Sequence, residues 1–325
     1  MTTSNTPTQN ETLFENPFQI EDLMVFDDST LHTMLTRGEF GLTVTSLAHC
    51  LHGIDQPLLM RIKRNLSPQQ HLLFLRELQC PLPQSTVEHA RRQVLDRLFW
   101  ELTYWKTPEL YEELTEGEYI HPGIFEQLHP DLQGKTVLDV GAGSGRASLE
   151  CLRYGAKLVY AVEPSPGLLH ILEQKLSQHI NEQQAIPQKG RFDALPLEDN
   201  SVDVALSCSA FTAAPEQGGE PGLIEMCRVT RPGGKIVLIW PRREDHDWLH
   251  SHGFRYVALP LQHEMHVRFR SLKSALQCAR RFYAHNKSVV QYILIRQNPE
   301  IPFSILGLNP PNDYCWLEVI KTRNH

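Results

Sequence analysis

Val137-Leu-Asp-Val-Gly-Ala-Gly-Ser-Gly-Arg146 is an apolar run that breaks into three alternating glycines and leads into a helical pattern reaching about Tyr154, which Gly155 can end. The run reads as a buried strand. Gly141, Gly143 and Gly145 read as a turn at which backbone can approach a ligand that a side chain would keep away. Residues 157–162 form the second strand, and Glu163 falls at its end, where a carboxylate can accept hydrogen bonds from both ribose hydroxyls of a nucleoside. The combination points to a nucleoside cofactor. By itself it does not separate a dinucleotide from S-adenosylmethionine.

The segments downstream make the separation. A helical stretch at 168–178 is followed by Gly190-Arg-Phe-Asp-Ala-Leu-Pro-Leu-Glu-Asp-Asn-Ser-Val-Asp203, a strand at 202–208, a helix at 222–229, the turn Arg231-Pro-Gly-Gly234 and a strand at 235–240. This order of motifs over residues 112–325 resembles the class I S-adenosylmethionine-dependent methyltransferases, and 314–320 resembles the antiparallel last strand that such folds place beside the fifth. The resemblance implies an α/β, Rossmann-like domain with a mostly parallel seven-stranded sheet and S-adenosyl-L-methionine as cofactor. It implies that Asp139, Gly141, Ala142 and Gly143 border the methionine part and that Glu163 and Pro164 lie at the ribose. Asp193 and Ala194 would lie at the adenine, Ser207 would also bind the cofactor, and the segment 207–211 would floor the acceptor pocket. Asp203 reads as structural.

Walls for the acceptor must come from outside these motifs. Tyr111, Tyr119 and His121 are candidates for a lid, since aromatic rings can shield the methionine end from water. No catalytic base is placed by motif. Asn309-Pro-Pro311 has the composition of an amine-methylating motif but the wrong position for one, and reads as a loop before a strand. His246 and His250 are spaced four apart without the glutamate of a zinc-protease helix, so no metal site is expected.

Residues 20–102 carry apolar positions three and four apart, with breaks at Gly38, Gly53 and 81–83, and Ser67-Pro68 is a strong helix start. Pro17-Phe-Gln-Ile-Glu-Asp-Leu23, Asp27-Asp28, Gly53-Ile-Asp-Gln-Pro-Leu58 and Arg64-Asn-Leu-Ser67 resemble, in this order, the C-terminal domain of the flagellar motor switch protein FliG. That resemblance implies an all-α, armadillo-like domain. Where the motor protein carries an acidic pair, this chain has Arg76 and Glu77, so a torque-generating role does not carry over. The domain organisation expected is a flexible tail at 1–16, a helical domain at 17–104 able to fold alone, and a methyltransferase domain at 105–325.

Composition sets the outer limits. The 325 residues, 41% hydrophobic and 21% charged, suit two globular domains. No run approaches the roughly 20 apolar residues of a membrane span, and the N-terminus lacks a secretion signal, so a cytoplasmic protein is expected. Seven scattered cysteines suggest reduced thiols, and a net charge of -7 gives no strong nucleic-acid signal. The expected activity is methyl transfer to an acceptor, small molecule or protein, with the helical lobe presenting substrate or binding a protein partner. The alternative is a non-catalytic adapter of a flagellar-motor-like complex built on a vestigial methyltransferase fold.

Overall fold

The computed structural model describes residues 16–321. The expected tail therefore lies outside the described residues except for Asn16, whose side chain donates to Asp96 at 3.0 Å.

A layer of seven helices comes first: α1 (Asp28–Arg37), α2 (Val44–Cys50), α3 (Gln56–Asn65), α4 (Pro68–Gln79), α5 (Gln84–Arg97), α6 (Phe99–Lys106) and α7 (Pro108–Glu116). Their ends follow from local chemistry. Asp27 caps α1 by accepting from the Thr30 amide at 2.8 Å, and Gly38 ends it with φ +63°. Ser67 and Gln70 form a reciprocal capping box at α4, with Pro68 in the first turn.

The second layer alternates: α8 (Pro122–Leu132), β1 (Thr136–Val140), α9 (Arg146–Arg153), β2 (Leu158–Glu163), α10 (Pro166–Lys175), α11 (Ser177–Asn181), β3 (Ala185–Lys189), β4 (Val202–Cys208), α12 (Gly219–Val229), β5 (Thr230–Ile239), α13 (His246–Ser251) and β6 (Arg255–Ala258). The chain then crosses back over the helical layer as β7 (His266–Arg268), α14 (Leu272–Phe282), α15 (Lys287–Arg296), β8 (Glu300–Pro302) and α16 (Phe303–Leu306), and closes the sheet with β9 (Asp313–Glu318). Sheet order is β3-β2-β1-β4-β5-β9-β6. The first five strands are parallel, and β9 runs antiparallel to both β5 and β6. This is the Rossmann-like arrangement expected, and Asn309-Pro-Pro311 lies in the loop before β9.

Two packing facts bear on the expected organisation. One continuous apolar core joins the N-terminal helices to α14, α15 and α16, with Phe99, Leu102, Phe282, Ile293 and Phe303 among its members. Trp100 stacks on Phe282 with centroids 5.5 Å apart, and Phe99 meets the same ring edge-on at 6.3 Å. The apolar packing of the helical layer thus does not close at residue 104. The second fact is the seating of that layer on α10. A Cβ at Gly167 would stand 2.7 Å from Pro108 Cγ, and Ser165 donates its hydroxyl to the Tyr104 carbonyl at 2.7 Å.

Candidate functional site

The glycine turn is built by backbone hydrogen bonds. The amides of Gly141 and Ala142 both donate to the Val162 carbonyl, at 2.9 and 3.0 Å. Gly141 has φ +68°, and a Cβ there would collide with Ala210 Cβ at 2.7 Å; Gly143 has φ +56° and open space where its Cβ would be. The first position requires glycine for packing, and the second leaves room for a ligand.

Glu163 ends β2 and is 4% exposed. Its Oε2 accepts from the Gly143 amide and its Oε1 from the Ser165 amide, each at 2.9 Å. A carboxylate has about four lone-pair sites, so these two bonds fix its direction and leave acceptor capacity for two hydroxyls. Burial outweighs the two amides and pushes the carboxyl up to about 7. Asp139, in β1, accepts from Ser148 Oγ at 2.6 Å, while its buried Oδ1 has no partner. Burial pushes that carboxyl up to about 6.

A cavity of about 480 Å³ opens at the C-terminal ends of the parallel strands. Its sheet side contains Gly141, Gly143, Glu163, Pro164, Asp193 and Ala194. Its other side comes from the N-terminal helices: Thr30 and Met34 on α1, Glu101, Tyr104 and Trp105 on α6, and Tyr111 on α7. A narrower cleft of about 40 Å³ continues past Tyr111 to Asp139, Ala142, Ser144, Arg146 and Cys208. Arg146 is held there by the Glu118 carbonyl at 2.8 Å and lies 3.7 Å from Cys208 Sγ.

Asp193 does face the cavity, but its carboxylate is shared between Arg37 on the cap and Arg191, the latter at 3.1 Å. Burial would raise its pKa, and the two guanidinium groups more than offset this and hold it below the ordinary carboxylate range. Arg191 also binds Glu39 at 2.6 Å, so four charges tie the helical layer to the loop after β3.

Three expected residues are placed elsewhere. Ser207 is enclosed within β4, 1% exposed, and lines neither cavity; Ser209 and Ala210, just beyond the strand, do so instead. Ser209 holds φ +59°, an uncommon conformation for a non-glycine residue, at the lip of the site. Tyr119 is 57% exposed and away from the cavity. His121 caps α8 and donates its amide to Pro311, so of the three lid candidates only Tyr111 faces the site. Asp203 is structural as expected, accepting from the Thr136 amide at 2.9 Å and binding Arg231. Among the described residues no group of three potential metal ligands assembles, and no helix is long and apolar enough to cross a membrane.

The cavity-lining residues of α1 and α6 are not marked by any sequence motif. In α6 their mark in the sequence is a charged residue, Glu101, among aromatic and apolar ones; in α1 the lining residues Thr30 and Met34 carry none.

Residues 138–238 match the family described as "Methyltransferase domain", and the sheet that carries them is Rossmann-like. An uncharacterized methyltransferase of Mycobacterium tuberculosis is 34% identical over 111 residues, 34% of this chain and 42% of that protein. One from Mycobacteroides abscessus is 39% identical over 166 residues, 48% of this chain and 62% of that protein. The chain thus spans less than two thirds of the length of these curated relatives. Among solved structures, a putative S-adenosyl-L-methionine-dependent methyltransferase from Methanococcus maripaludis has a TM-score of 0.41 at 13% identity, covering 68% of this chain and 94% of that one.

Proposed function

We propose that the protein is an S-adenosylmethionine-dependent methyltransferase whose N-terminal helices form a cap over the cofactor and acceptor. The observation that carries this reading is Glu163: a buried carboxylate at the end of β2, oriented by two backbone amides, beside a glycine whose missing side chain leaves space. The residues fit the cofactor. Glu163 would hold the ribose hydroxyls, the open face of Gly143 would admit the methionine chain, and the unpartnered Oδ1 of Asp139 lies in the cleft that extends the cavity.

When bound, the cofactor supplies a sulfonium methyl, which is electrophilic without further activation. The chain's own task is then positioning and exclusion of water. Tyr104, Trp105 and Tyr111 enclose the site from above, and Asp193 with its arginines closes the rim toward which adenine would point. The acceptor would reach the methyl past Ser209 and Ala210.

The FliG resemblance of residues 17–104 is compatible with a partner-binding face elsewhere on the lobe. The adapter reading that it implied draws no support from the site, because the lobe contributes residues to the cavity wall itself. Titration calorimetry with S-adenosylhomocysteine tests the proposal: one site per chain is expected, and NAD binding in its place would overturn it.

A further inference from the structure

Glu101 of α6 lines the cavity, as does Glu163 on the opposite side, and its carboxylate makes no hydrogen bond or ion pair with any described residue. The cations that line the same cavity are already engaged. Lys189 pairs with Asp27, Arg191 with Glu39 and Asp193, and Arg242 donates to Gln217 at 3.1 Å. A half-buried carboxylate without a partner is costly to ionise, and that cost is recovered when a ligand supplies the counter-charge. Burial, and secondly the nearby Glu163, push the Glu101 carboxyl up to about 7.

The rest of the surroundings favour a cation. Phe40, Tyr104, Trp105, Tyr111 and Phe192 all contribute to the lining. Aromatic faces attract an ammonium group, most strongly where water is excluded. Tyr104 and Tyr111 meet edge-on at 4.7 Å, so they form one wall with Trp105 on the same helix as Glu101. Room is limited, because a cavity of about 480 Å³ must hold the cofactor as well.

We propose that Glu101 is the acceptor-binding carboxylate and that the methyl acceptor is a small amine, held as its ammonium ion between Glu101 and the aromatic wall of the cap. This rests on the methyltransferase reading above. The ammonium gives one proton to Glu101, and the freed nitrogen lone pair then forms the N–CH3 bond as the S–CH3 bond breaks. The electron pair of the broken bond stays on sulfur, which becomes a neutral thioether, and the methylated nitrogen carries the positive charge.

Sinefungin is a suitable probe, since it carries an amine where the sulfonium carries its methyl. The full-length protein should bind sinefungin about tenfold or more tightly than S-adenosylhomocysteine, in line with a hydrogen bond to a charged group. Glu101→Gln should abolish that preference and leave the affinity for S-adenosylhomocysteine within about twofold, since Glu101 is assigned to the acceptor and not to the ribose. A preference that survives Glu101→Gln, or an equal loss for both ligands, would overturn the proposal. Equal affinity of the unaltered protein for the two ligands would overturn it without any variant. Failure of the unaltered protein to bind either ligand would instead remove the cofactor reading on which the proposal rests.

Discussion

Glu163 concentrates the chemistry of the site in one side chain, and its titration gives the account a sign that can be checked. With its carboxyl raised to about 7 by burial, the empty folded protein holds a proton that the unfolded chain releases near 4.5. Its penalty is therefore absent below the ordinary value, and stability falls as pH rises through about 7. Ligand binding has the opposite preference, because ribose hydroxyls donate to the ionised carboxylate. Cofactor affinity should climb between about pH 6 and pH 8, with a proton released on binding at the lower end, and Glu163→Gln should flatten the profile. Calorimetry in buffers of different ionisation heat measures both quantities. Glu163→Ala should weaken binding by about 1.5 to 3 kcal/mol. Gly141→Ala forces a Cβ into Ala210 at φ +68° and should cost at least about 1 to 2 kcal/mol of stability by denaturant titration.

At the level of elements, the sheet layer is legible because its signals are local. The run ending at Gly145 had to be a buried strand and a turn, and the carboxylate at the end of the next strand had to face the ligand edge. β3 carries little strand signal of its own, because Ala185-Ile-Pro-Gln-Lys189 contains Pro187, which a strand tolerates here at the sheet edge, with only β2 for a partner. Ser207 is enclosed within β4, Cys208 at its end lines the narrower cleft, and the chain reaches the wider cavity at Ser209. The roof was illegible for a different reason. Glu101, Tyr104 and Trp105 face the site because α6 and α7 lie against α10, the Tyr104 carbonyl on the Ser165 hydroxyl and Pro108 on Gly167, contacts some 60 residues apart in the chain. The lid residues make a direct comparison. Tyr111→Ala should weaken retention of S-adenosylhomocysteine several-fold, whereas Tyr119→Ala, at an exposed position, should leave both binding and melting temperature unchanged. Equal effects of the two substitutions would contradict the placement of α7.

Across the whole molecule, the helical layer and the sheet share a chain that leaves the cap after α7 and returns to it as α14 and α15. Apolar periodicity within residues 17–104 reports which faces are buried but not what buries them, and for Phe99 and Trp100 the covering surface is Phe282. A fragment of residues 17–104 should therefore lack a cooperative unfolding transition. Its recovery on addition of the remaining chain, monitored by far-ultraviolet circular dichroism, is the expected companion result. Independent cooperative folding of the fragment would show that α14 and α15 are dispensable to the cap.

The central claim is that the cavity between cap and sheet is a site for S-adenosylmethionine. Titrating S-adenosylhomocysteine into the full-length protein at pH 8 tests it most directly. The account predicts saturable binding at one site per chain, weakened by Glu163→Ala and insensitive to Tyr119→Ala. Absence of binding, or binding indifferent to Glu163 and replaced by tight binding of NAD, would contradict it.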